Sequence, residues 1–494
     1  MKKEKEKTNS EVLANEETKQ KTSEKVLDII FKVAVLVFVV ITILFYVSIV
    51  SLDLLPTSYI VIFTIVEIIL TGLLAVGLGK KHKTRKLNIV CLSLALIFAG
   101  IYIVVANYAN ATNSFLDSVF TDVQETEDYY VVVNIESSYE EIYDIEEEEV
   151  YIFQIEDEDV KSGLQDIVNI SFVSAEALVD LGNNLLESNI NVIFISSTQY
   201  DMLSEEIEDF EENTRIIYTI TDEIETTETI SSEDSEYTIS EGVFNVYISG
   251  IDTSGSISKV SRSDANMIVT VNTNTHEILL TSIPRDYYVT LHSKGAKDKL
   301  THSGIYGINE TVTTVEDFLD VDINYYVRVN FTTVIELVDI LGGIEVESDY
   351  AFSSGGYSFV KGTNYLDGDA ALVFSRERHA FSSGDNQRIK NQQAVLEAII
   401  EKVTNSTTIL TNYTSILNSL EGCFQTNINQ SDISDLVKEQ LNSMASWTVT
   451  TNSLTGTGTY GTTYSMGSTR LYIMIPNDDS ISEATEKINA LLQK

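Results

Sequence analysis

The sequence predicts an α/β protein that is preceded by three transmembrane helices. Three apolar runs, at residues 28–52, 57–79 and 87–108, each reach the roughly 20 residues that a helix needs to cross the hydrocarbon core of a membrane. Beyond them, strand-like runs rich in β-branched and aromatic residues alternate with amphipathic helical patterns. With 494 residues, the chain is long enough for about three folded units.

The distribution of Lys and Arg predicts how these helices cross the membrane. The tail at residues 1–27 begins MKKEKEK, and KKHKTRK joins the second and third runs, whereas DLLPTSY between the first and second has neither Lys nor Arg. Positively charged loops tend to stay in the cytoplasm. We therefore expect a multi-pass membrane protein with a cytoplasmic tail, three transmembrane helices within 28–108, and an extracellular part from about residue 109.

The charge balance excludes one class of partner. The chain has 74 acidic and 32 basic side chains, which give a formal net charge of −42. A general nucleic-acid surface needs a basic stripe, so we expect no nucleic-acid partner. The N-terminal helices imply membrane lipid as a partner instead.

The external part is expected to begin with a linker and a small domain. We interpret the polar segment 109–128 as the linker, and 129–228 as an acidic α/β accessory domain in which runs such as YYVVVNI and NVIFIS form strands. The acidic runs EEEE at 146–149 and EEIEDFEE at 205–212 are typical of a solvated acidic face. The Ser-, Thr- and Glu-rich segment 229–242 is typical of a second linker.

Residues 243–494 form the largest predicted domain. FNVYISGID is expected to form one strand, and NMIVTVNTNTHEILLTSIPRD two strands with a turn between them. FTTVIELVDILGG has its apolar residues on one helical face and ends at a Gly pair. We interpret ALVFSR at 371–376 as a short strand and 451–469 as a mobile loop or a long hairpin. A helix from Asn386 onward is expected to have Asp385 as its N-cap.

Charged and amide residues cluster where these elements begin or end, which is where α/β folds build ligand sites. The candidates are Arg262, Asp264, Arg285, Asp286, Lys299, Arg376, Arg378, Arg388 and Gln392. Guanidinium groups bind phosphate oxygens bidentately, and carboxylates beside them suit a hard divalent cation. The combination predicts a site for pyrophosphate and Mg²⁺, with Mn²⁺ as the alternative ion.

These motifs, in this order, resemble those of the LytR–CpsA–Psr family of Gram-positive cell-envelope proteins. The resemblance covers roughly 243–494 and rests on FNVYISGIDTSG, SRSDANMIVTVNTNTHEILLTSIPRDYYV, LGGIEV and LDGDAALVFSRERHAFSSGDNQRIKNQQ. The three spans and the accessory domain look like those of its capsule-type members. The resemblance implies an α/β/α domain with a central mixed sheet and a hydrophobic pocket for a polyprenyl chain.

The resemblance also implies roles for individual residues. Asp264 and Asp286 match the metal-binding carboxylates, Lys299 is a plausible further phosphate contact, and Gln392 matches a paired-glutamine motif. The residues that match the pyrophosphate-binding arginines are Arg262, Arg285, Arg376, Arg378 and Arg388. The chain departs from the family pattern at Asn391, where a second Arg is frequent, and at LTHSGIYG after the lysine, where small residues and a Gly pair are usual.

The function implied by the resemblance is that of a Mg²⁺-dependent phosphotransferase. It attaches a polyprenyl-pyrophosphate-linked anionic glycopolymer, either teichoic acid or capsular polysaccharide, to peptidoglycan. The predicted catalytic residues are Asp264, Asp286, Asp385 and Arg388, and one of the three carboxylates takes the proton of the attacking hydroxyl.

Two alternatives stay open at this point. A polyprenyl-pyrophosphate pyrophosphatase uses the same site with water as the acceptor, and a non-catalytic, membrane-tethered envelope regulator binds without turnover. A DNA-binding regulator is excluded because the expected topology places the basic residues outside the cell.

Overall fold

The computed structural model divides the chain into two compact units. It describes residues 2–80, 85–119, 125–155, 157–223, 239–253, 257–382, 384–405, 424–443 and 445–493. The first unit consists of Met1–Leu116 with Ile433–Met444, and the second of Asp117–Asp432 with Ala445–Lys494.

Three long helices dominate the first unit. They are α1 (Lys2–Ser51), α2 (Thr57–Gly79) and α3 (Lys86–Val119). The parts that are long and apolar enough to cross a membrane are Thr22–Ser51, Thr57–Gly79 and Lys86–Thr112, so the prediction of three membrane-length helices is confirmed. Part of the predicted linker at 109–128 is helical, because α3 continues to Val119, and its last residues belong to the first strand, which begins at Thr126; residues 120–124 lie outside the described residues.

Polar side chains also connect these helices. The hydroxyl of Tyr102 donates to both carboxylate oxygens of Glu67 at 2.8 Å, and both residues are buried. Asn88 donates through Nδ2 to the carbonyl oxygens of Gly77 and Leu78 near the end of α2. Buried polar groups need such partners in lipid, where water cannot replace them.

The accessory domain is a mixed five-stranded sheet with helices on both faces. Its strands are β1 (Thr126–Asn134), β2 (Glu149–Ile152), β3 (Ser171–Ser174), β4 (Val192–Ser196) and β5 (Thr214–Glu223). Its helices are α4 (Glu158–Ile167), α5 (Leu178–Leu186) and α6 (Ser197–Glu206). The strand order is β3-β2-β4-β1-β5, with β2 parallel to β3 and β4, and β1 antiparallel to β4 and β5.

Side-chain alternation along β1 builds two cores in this domain. Val131 and Val133 pack in the core that contains residues of α4, whereas Val132 packs on the opposite face with residues of α5 and α6. Met466 and Leu471, from the far C-terminal part of the chain, join this second core. The accessory domain is therefore packed against the following domain and belongs to the same compact unit.

The third domain contains most of the remaining elements. Its strands are β6 (Val243–Ile251), β7 (Ser263–Asn272), β8 (Glu277–Ile283), β9 (Tyr288–Thr290), β10 (Lys297–Lys299), β11 (Tyr325–Val329), β12 (Ile344–Ser348), β13 (Phe352–Ser354), β14 (Tyr357–Phe359), β15 (Gly362–Leu366), β16 (Phe424–Thr426), β17 (Thr448–Ser453), β18 (Gly456–Thr462) and β19 (Arg470–Pro476). The helices that follow α6 are α7 (Leu300–Ser303), α8 (Ile308–Leu319), α9 (Phe331–Ile340), α10 (Gly368–Arg376), α11 (Asp385–Asn405), α12 (Gln430–Ser443) and α13 (Asp478–Leu492).

A six-stranded mixed sheet lies at the centre of this domain, in the order β16-β11-β6-β7-β8-β17. Tyr247 and Ile268 are paired across β6 and β7 and pack in the core formed with α8 and α13. Their neighbours Ile248 and Met267 point to the opposite face, where they line a cavity beneath α9, α10 and α11. The predicted α/β class with helices on both faces of a mixed sheet is confirmed.

Several predicted elements of this domain are confirmed. The strand at FNVYISGID is β6, and the two strands joined by a turn are β7 and β8. The predicted helix at 331–343 is α9, which is followed by Gly342 and Gly343 at positive φ. Within 451–469, β18 begins an antiparallel hairpin with β19, whereas β17 joins the central sheet beside β8.

The prediction of a strand at 371–376 is wrong, because α10 covers these residues. Asp367 caps this helix by accepting a hydrogen bond from the backbone N–H of Ala370. The apolar residues Ala370, Ala371 and Phe374 are buried at helical spacing. The short apolar run was therefore one face of a capped helix.

The prediction that Asp385 is an N-cap is also wrong. The helix α11 begins at Asp385 itself, and the side chain of Asp385 forms an ion pair with Arg388 instead of a cap. Within the part of the chain that the structure describes, both carboxylate oxygens of Asp385 are buried and accept no hydrogen bond. Of the predicted linker at 229–242, only residues from 239 onward lie within the described residues.

Candidate active site

The candidate residues converge on one edge of the central sheet. Because β7 is antiparallel to β6 and β8, the start of β7 lies beside the ends of β6 and β8. Arg262 immediately precedes β7, and Arg285 and Asp286 follow β8 after Pro284. Asp264 is the second residue of β7, whereas the sequence predicts a position immediately before the strand.

Arg285 and Asp264 form a largely buried ion pair at this edge. Nη1 of Arg285 lies 2.8 Å from Oδ2 of Asp264, and Oγ1 of Thr301 donates to Oδ1 of Asp264 at 2.7 Å. Burial alone would raise the pKa of Asp264, but the guanidinium groups of Arg285 and Arg262 outweigh burial and hold that pKa well below its usual range. Asp264 is therefore ionised at any physiological pH.

A carboxylate from the accessory domain enters the same cluster. Glu205, near the end of α6, forms an ion pair with Arg262, and its Oε1 lies 2.9 Å from Nη2 of Arg285. Nη2 of Arg378 lies 3.7 Å from the same oxygen. The interpretation of 205–212 as a solvated acidic face is thus wrong for Glu205. No local sequence signal identified it, because its partners lie in a different domain.

Lys299 and Asp286 form a second pair beside the first. Nζ of Lys299 is 3.4 Å from Oδ1 of Asp286, and both side chains are 11% exposed. They border a small cavity that they share with Glu205, Arg262 and Arg285. Asp286 and Lys299 therefore lie next to the arginines but do not line the larger cavity beneath α9, α10 and α11.

Arg388 and Asp385 are paired within the first turn of α11. Burial raises the pKa of Asp385, as do the nearby carboxylates of Asp286 and Asp264, and the attraction of Arg388 does not offset these effects. Within the described residues, Nε of Arg388 and Nε of Arg285 are buried and lack a hydrogen-bond acceptor. Unpaired buried donors are costly, so these two N–H groups favour an additional anionic acceptor at the site.

Arg376 and Arg378 are the more accessible arginines. Arg376, at the end of α10, is 53% exposed, lies 3.2 Å from Oδ1 of Asp252, and stacks 4.0 Å above the ring of Phe331. Arg378 is 35% exposed and approaches Glu205. Arg376 therefore lies at the end of a helix rather than in the extended segment that the sequence predicted.

An apolar cavity of about 690 Å³ adjoins the arginines. Ile248 and Met267 form its floor on the sheet, and Leu337, Leu372 and Leu396 contribute from α9, α10 and α11. The site residues that line it are Asp264, Arg262, Arg285, Arg376, Arg378, Arg388 and Gln392. The cavity thus has mostly apolar walls and a border of arginine side chains.

The departures from the family pattern have structural explanations. Asn391 donates from Nδ2 to the carbonyl oxygen of Phe374 at 3.0 Å, which fastens α11 to α10. Gln393, the second residue of the glutamine pair, donates to the carbonyl oxygen of Asn452 at 2.7 Å, so only Gln392 borders the cavity. A Cβ at Gly304, in the segment after the lysine, would lie 2.6 Å from the carbonyl oxygen of Ser261. This glycine allows the close approach that supports Arg262.

The residues present suit a cation that also binds phosphate. Among the described residues, no group of three or more His, Cys, Asp or Glu side chains is arranged to hold a metal ion by itself. The site instead offers Asp264, which is kept ionised, with Asp286 nearby. Mg²⁺ is usually held by one or two carboxylates together with phosphate oxygens and water, so this donor set fits Mg²⁺ only in company with a phosphate ligand.

The structure brings most of the predicted site residues together. Arg262, Asp264 and Arg285 form one cluster with Glu205, while Lys299 with Asp286 and Arg388 with Asp385 lie beside it. Arg376, Arg378 and Gln392 border the cavity. Sequence reasoning did not identify Glu205, Thr301 or Asp252. All three lie in stretches with another interpretation: Glu205 in the acidic run 205–212, Thr301 in LTHSGIYG after the lysine, and Asp252 at the end of the strand FNVYISGID.

The chain is similar to a known protein family and to several known proteins. The model of the LytR_cpsA_psr family matches residues 214–483, more than half of the 494 residues. A Bacillus anthracis protein named polyisoprenyl-teichoic acid–peptidoglycan teichoic acid transferase TagU is 37% identical over 178 residues, which cover 36% of this chain and 58% of that protein. The Bacillus licheniformis protein of the same name is 38% identical over 194 residues, which cover 39% and 62%.

The chain thus matches less than two thirds of the length of these curated relatives. Among solved structures, the crystal structure of B. subtilis TagU has a TM-score of 0.40 and 33% identity to this chain, and the match covers 51% of this chain and 97% of that one.

Proposed function

The chain belongs to the LytR_cpsA_psr family, and we propose that it is a membrane-tethered transferase that attaches an anionic glycopolymer to peptidoglycan. The donor is a polyprenyl-pyrophosphate-linked polymer, of teichoic acid or capsular type. The names of the curated relatives, which describe transfer of polyisoprenyl-linked teichoic acid to peptidoglycan, support this class of reaction.

The observation that carries the proposal is the junction between the arginines and the apolar cavity. Five arginines line a cavity of about 690 Å³ whose floor and roof are apolar. A polyprenyl chain fills such a cavity by hydrophobic burial, and the pyrophosphate at its end then meets the guanidinium groups, which bind phosphate oxygens bidentately. The unpaired Nε donors of Arg285 and Arg388 supply further hydrogen bonds.

We propose that Mg²⁺, or Mn²⁺ as the alternative, is held by Asp264 and Asp286 together with the donor phosphates. The ion supplies positive charge that stabilises the negative charge on the transferred phosphoryl group. Thr301 orients Asp264 by donating to Oδ1, and Lys299 lies beside Asp286. These two contacts orient both carboxylates beside the arginine cluster.

The proposed step is a phosphoryl transfer, in which the protein mainly positions the reactants and stabilises charge. An acceptor hydroxyl oxygen attacks the phosphorus atom that bears the glycopolymer. The bond from this phosphorus to the bridging pyrophosphate oxygen breaks, and polyprenyl phosphate leaves with the electron pair. The hydroxyl proton passes to a carboxylate, for which Asp385 is the candidate because burial raises its pKa.

A reconstituted assay tests the proposal. The full chain in lipid nanodiscs is incubated with Mg²⁺, a polyprenyl-pyrophosphate-linked glycopolymer and peptidoglycan fragments, and mass spectrometry follows the products. We expect a phosphodiester between polymer and peptidoglycan, together with polyprenyl phosphate. Release of the polymer to water alone identifies a pyrophosphatase, and donor binding without turnover identifies an envelope regulator; either result contradicts the proposal.

The proposed reaction requires the site to lie outside the cell. The positive-inside rule favours this topology, because Lys80, Arg85 and Lys86 flank the loop between α2 and α3. A protease added to intact cells is expected to remove a C-terminal tag but not an N-terminal one. The opposite pattern contradicts the topology and, with it, access to peptidoglycan.

A further inference from the structure

The accessory domain places one carboxylate at the centre of the arginine cluster. Oε2 of Glu205 pairs with Arg262, while Oε1 lies 2.9 Å from Nη2 of Arg285 and 3.7 Å from Nη2 of Arg378. These three arginines come from three separate segments of the third domain, before β7, after β8 and after α10. One carboxylate therefore bridges groups that the chain brings together only in the folded state.

This bridging geometry is the one that guanidinium groups offer to a phosphate. Carboxylates and phosphates both accept paired N–H donors from arginine. Burial alone would raise the pKa of Glu205, but Arg262 and Arg285 outweigh burial and lower that pKa to about 2. Glu205 thus carries a full negative charge under physiological conditions, as a phosphate does.

The helix that carries Glu205 is well fixed. Ser196 and Gln199 form a capping box at the start of α6, and Met202 and Leu203 are buried in the core of the accessory domain. The side chain of Glu205 itself is 30% exposed. A ligand can therefore displace the carboxylate by rotating this one side chain, while the helix and its domain stay in place.

Glu205 also lies where a donor headgroup must bind. It lines both the apolar cavity and the smaller cavity beside Lys299. Arg285 keeps a second partner, Asp264, when Glu205 leaves. Within the described part of the chain, by contrast, Arg262 forms an ion pair with no carboxylate other than Glu205. Displacement of Glu205 therefore frees Arg262 for the incoming anion.

We propose that Glu205 is a specificity-determining residue that substitutes for the donor phosphate in the free protein and yields Arg262 and Arg285 when the donor binds. The accessory domain thereby sets the affinity of the site, so that only a ligand with stronger anionic contacts than one carboxylate displaces Glu205. This inference rests on the proposed function, because it takes the arginines as the pyrophosphate site.

Calorimetric titration of the full chain in detergent with inorganic pyrophosphate tests this role. Glu205→Gln keeps the size of the side chain and removes its charge, so the variant is expected to bind pyrophosphate about tenfold more tightly than the wild type, the scale of one charge-assisted hydrogen bond. Glu208→Gln removes the same charge at an exposed position two residues beyond the end of α6 and is expected to leave the affinity unchanged.

Thermal unfolding separates this role from a purely structural one. Without ligand, Glu205→Gln is expected to unfold at a lower temperature, because Arg262 then loses its ion-pair partner and Arg285 keeps only Asp264. Saturating pyrophosphate is expected to raise its unfolding temperature by more than it raises that of the wild type. If Glu205 only stabilises the fold, the substitution lowers the unfolding temperature by the same amount with and without pyrophosphate. This outcome overturns the inference.

The outcomes distinguish the inference from the proposed function. If the wild type binds pyrophosphate, Arg376→Ala weakens binding, and Glu205→Gln binds no more tightly than the wild type, the role of Glu205 is wrong and the site stands. If neither the wild type nor Glu205→Gln binds pyrophosphate, the proposed function is contradicted and the inference is overturned with it.

Discussion

Asp264 and Arg285 lie 21 residues apart in the chain, yet Oδ2 of Asp264 accepts a 2.8 Å hydrogen bond from Nη1 of Arg285. The antiparallel pairing of β7 and β8 makes this contact, because it places the start of one strand beside the end of the next. The contact keeps the carboxylate of Asp264 ionised and fixes the orientation of the guanidinium group of Arg285. It therefore links the architecture of the sheet directly to the electrostatics of the site.

Arg285→Ala should weaken both the fold and the activity. The substitution leaves Asp264 and Glu205 near each other without their shared cation, and breaking a buried ion pair in this way costs roughly 3 kcal/mol or more of unfolding free energy. Donor turnover should fall at least about 100-fold. Denaturant unfolding and the reconstituted assay measure the two effects. Arg285→Lys keeps the positive charge but loses the planar guanidinium group, so its stability and turnover should lie between those of the wild type and of Arg285→Ala. If Arg285→Ala is as stable as the wild type, the ion pairs of Arg285 do not stabilise the fold.

The stability of the protein in acid should report on Glu205. Its pKa in the folded state is about 2, lower than the roughly 4.3 of an unfolded Glu. A depressed pKa contributes stability that is fully present above the unfolded value and is lost as the pH falls through the folded one. The wild type should therefore lose stability relative to Glu205→Gln between about pH 4.3 and pH 2. Parallel unfolding curves for the two proteins across this window would show that the ion pairs of Glu205 do not contribute.

Arg376→Ala should weaken anion binding with little effect on the fold. Arg376 is 53% exposed, and its contacts are an ion pair with Asp252 and a stack on Phe331, which together contribute about 1 kcal/mol. Binding of inorganic pyrophosphate should fall roughly tenfold to 100-fold by calorimetry. Lys390→Ala is the matched control, because Lys390 is 61% exposed and pairs only weakly, at 3.6 Å, with Asp349. Equal effects of the two substitutions would point to nonspecific charge attraction.

Much of the site could be predicted because its residues adjoin elements with strong local patterns. The strands around Asp264 and Arg285 are apolar and separated by a clear turn, so both strands could be predicted. Their outer ends were less certain, because β7 begins at Ser263 and β8 ends at Ile283, whereas the predicted pair spans 266–286. The three membrane-length helices could also be predicted, because apolar runs of about twenty residues are typical of transmembrane helices and rare in other structures.

The errors arose where tertiary contacts decide the outcome. The run at 371–376 is too short for apolar content to distinguish strand from helix, and the cap at Asp367 decides it. Asp385 matched a capping position in the sequence, but its carboxylate forms an ion pair with Arg388 instead of capping the helix. Glu205 lies in an acidic run of a separate domain, and nothing within that run distinguishes it from its exposed neighbours.

The buried pair of Glu125 and Arg328 should be important for stability. Nη1 of Arg328 lies 2.6 Å from Oε1 of Glu125, and their side chains are 2% and 0% exposed. Arg328→Met or Glu125→Leu alone leaves an unpaired buried charge and should cost roughly 3–5 kcal/mol in denaturant unfolding. The double variant Glu125→Leu/Arg328→Met should recover much of this loss. A double variant that loses the sum of both single effects would show that the two side chains are not coupled.

Asp385→Asn should distinguish the possible roles of this carboxylate. Burial, together with Asp286 and Asp264, raises the pKa of Asp385, and a general base is active only when ionised. The rate of the wild type should therefore increase as the pH rises through this elevated pKa, starting above the roughly 3.9 of an ordinary Asp. Asp385→Asn should lose this acidic limb of the pH–rate profile and about 100-fold or more of the turnover, while pyrophosphate binding is retained.

Asp286→Asn is the matched control for this experiment, because it removes a neighbouring carboxylate that is proposed to hold the cation. It should raise the Mg²⁺ concentration needed for half-maximal rate, whereas Asp385→Asn should leave that concentration unchanged. If Asp385→Asn shifts the Mg²⁺ dependence and keeps the acidic limb, Asp385 is a metal ligand. Full turnover in Asp385→Asn excludes both roles.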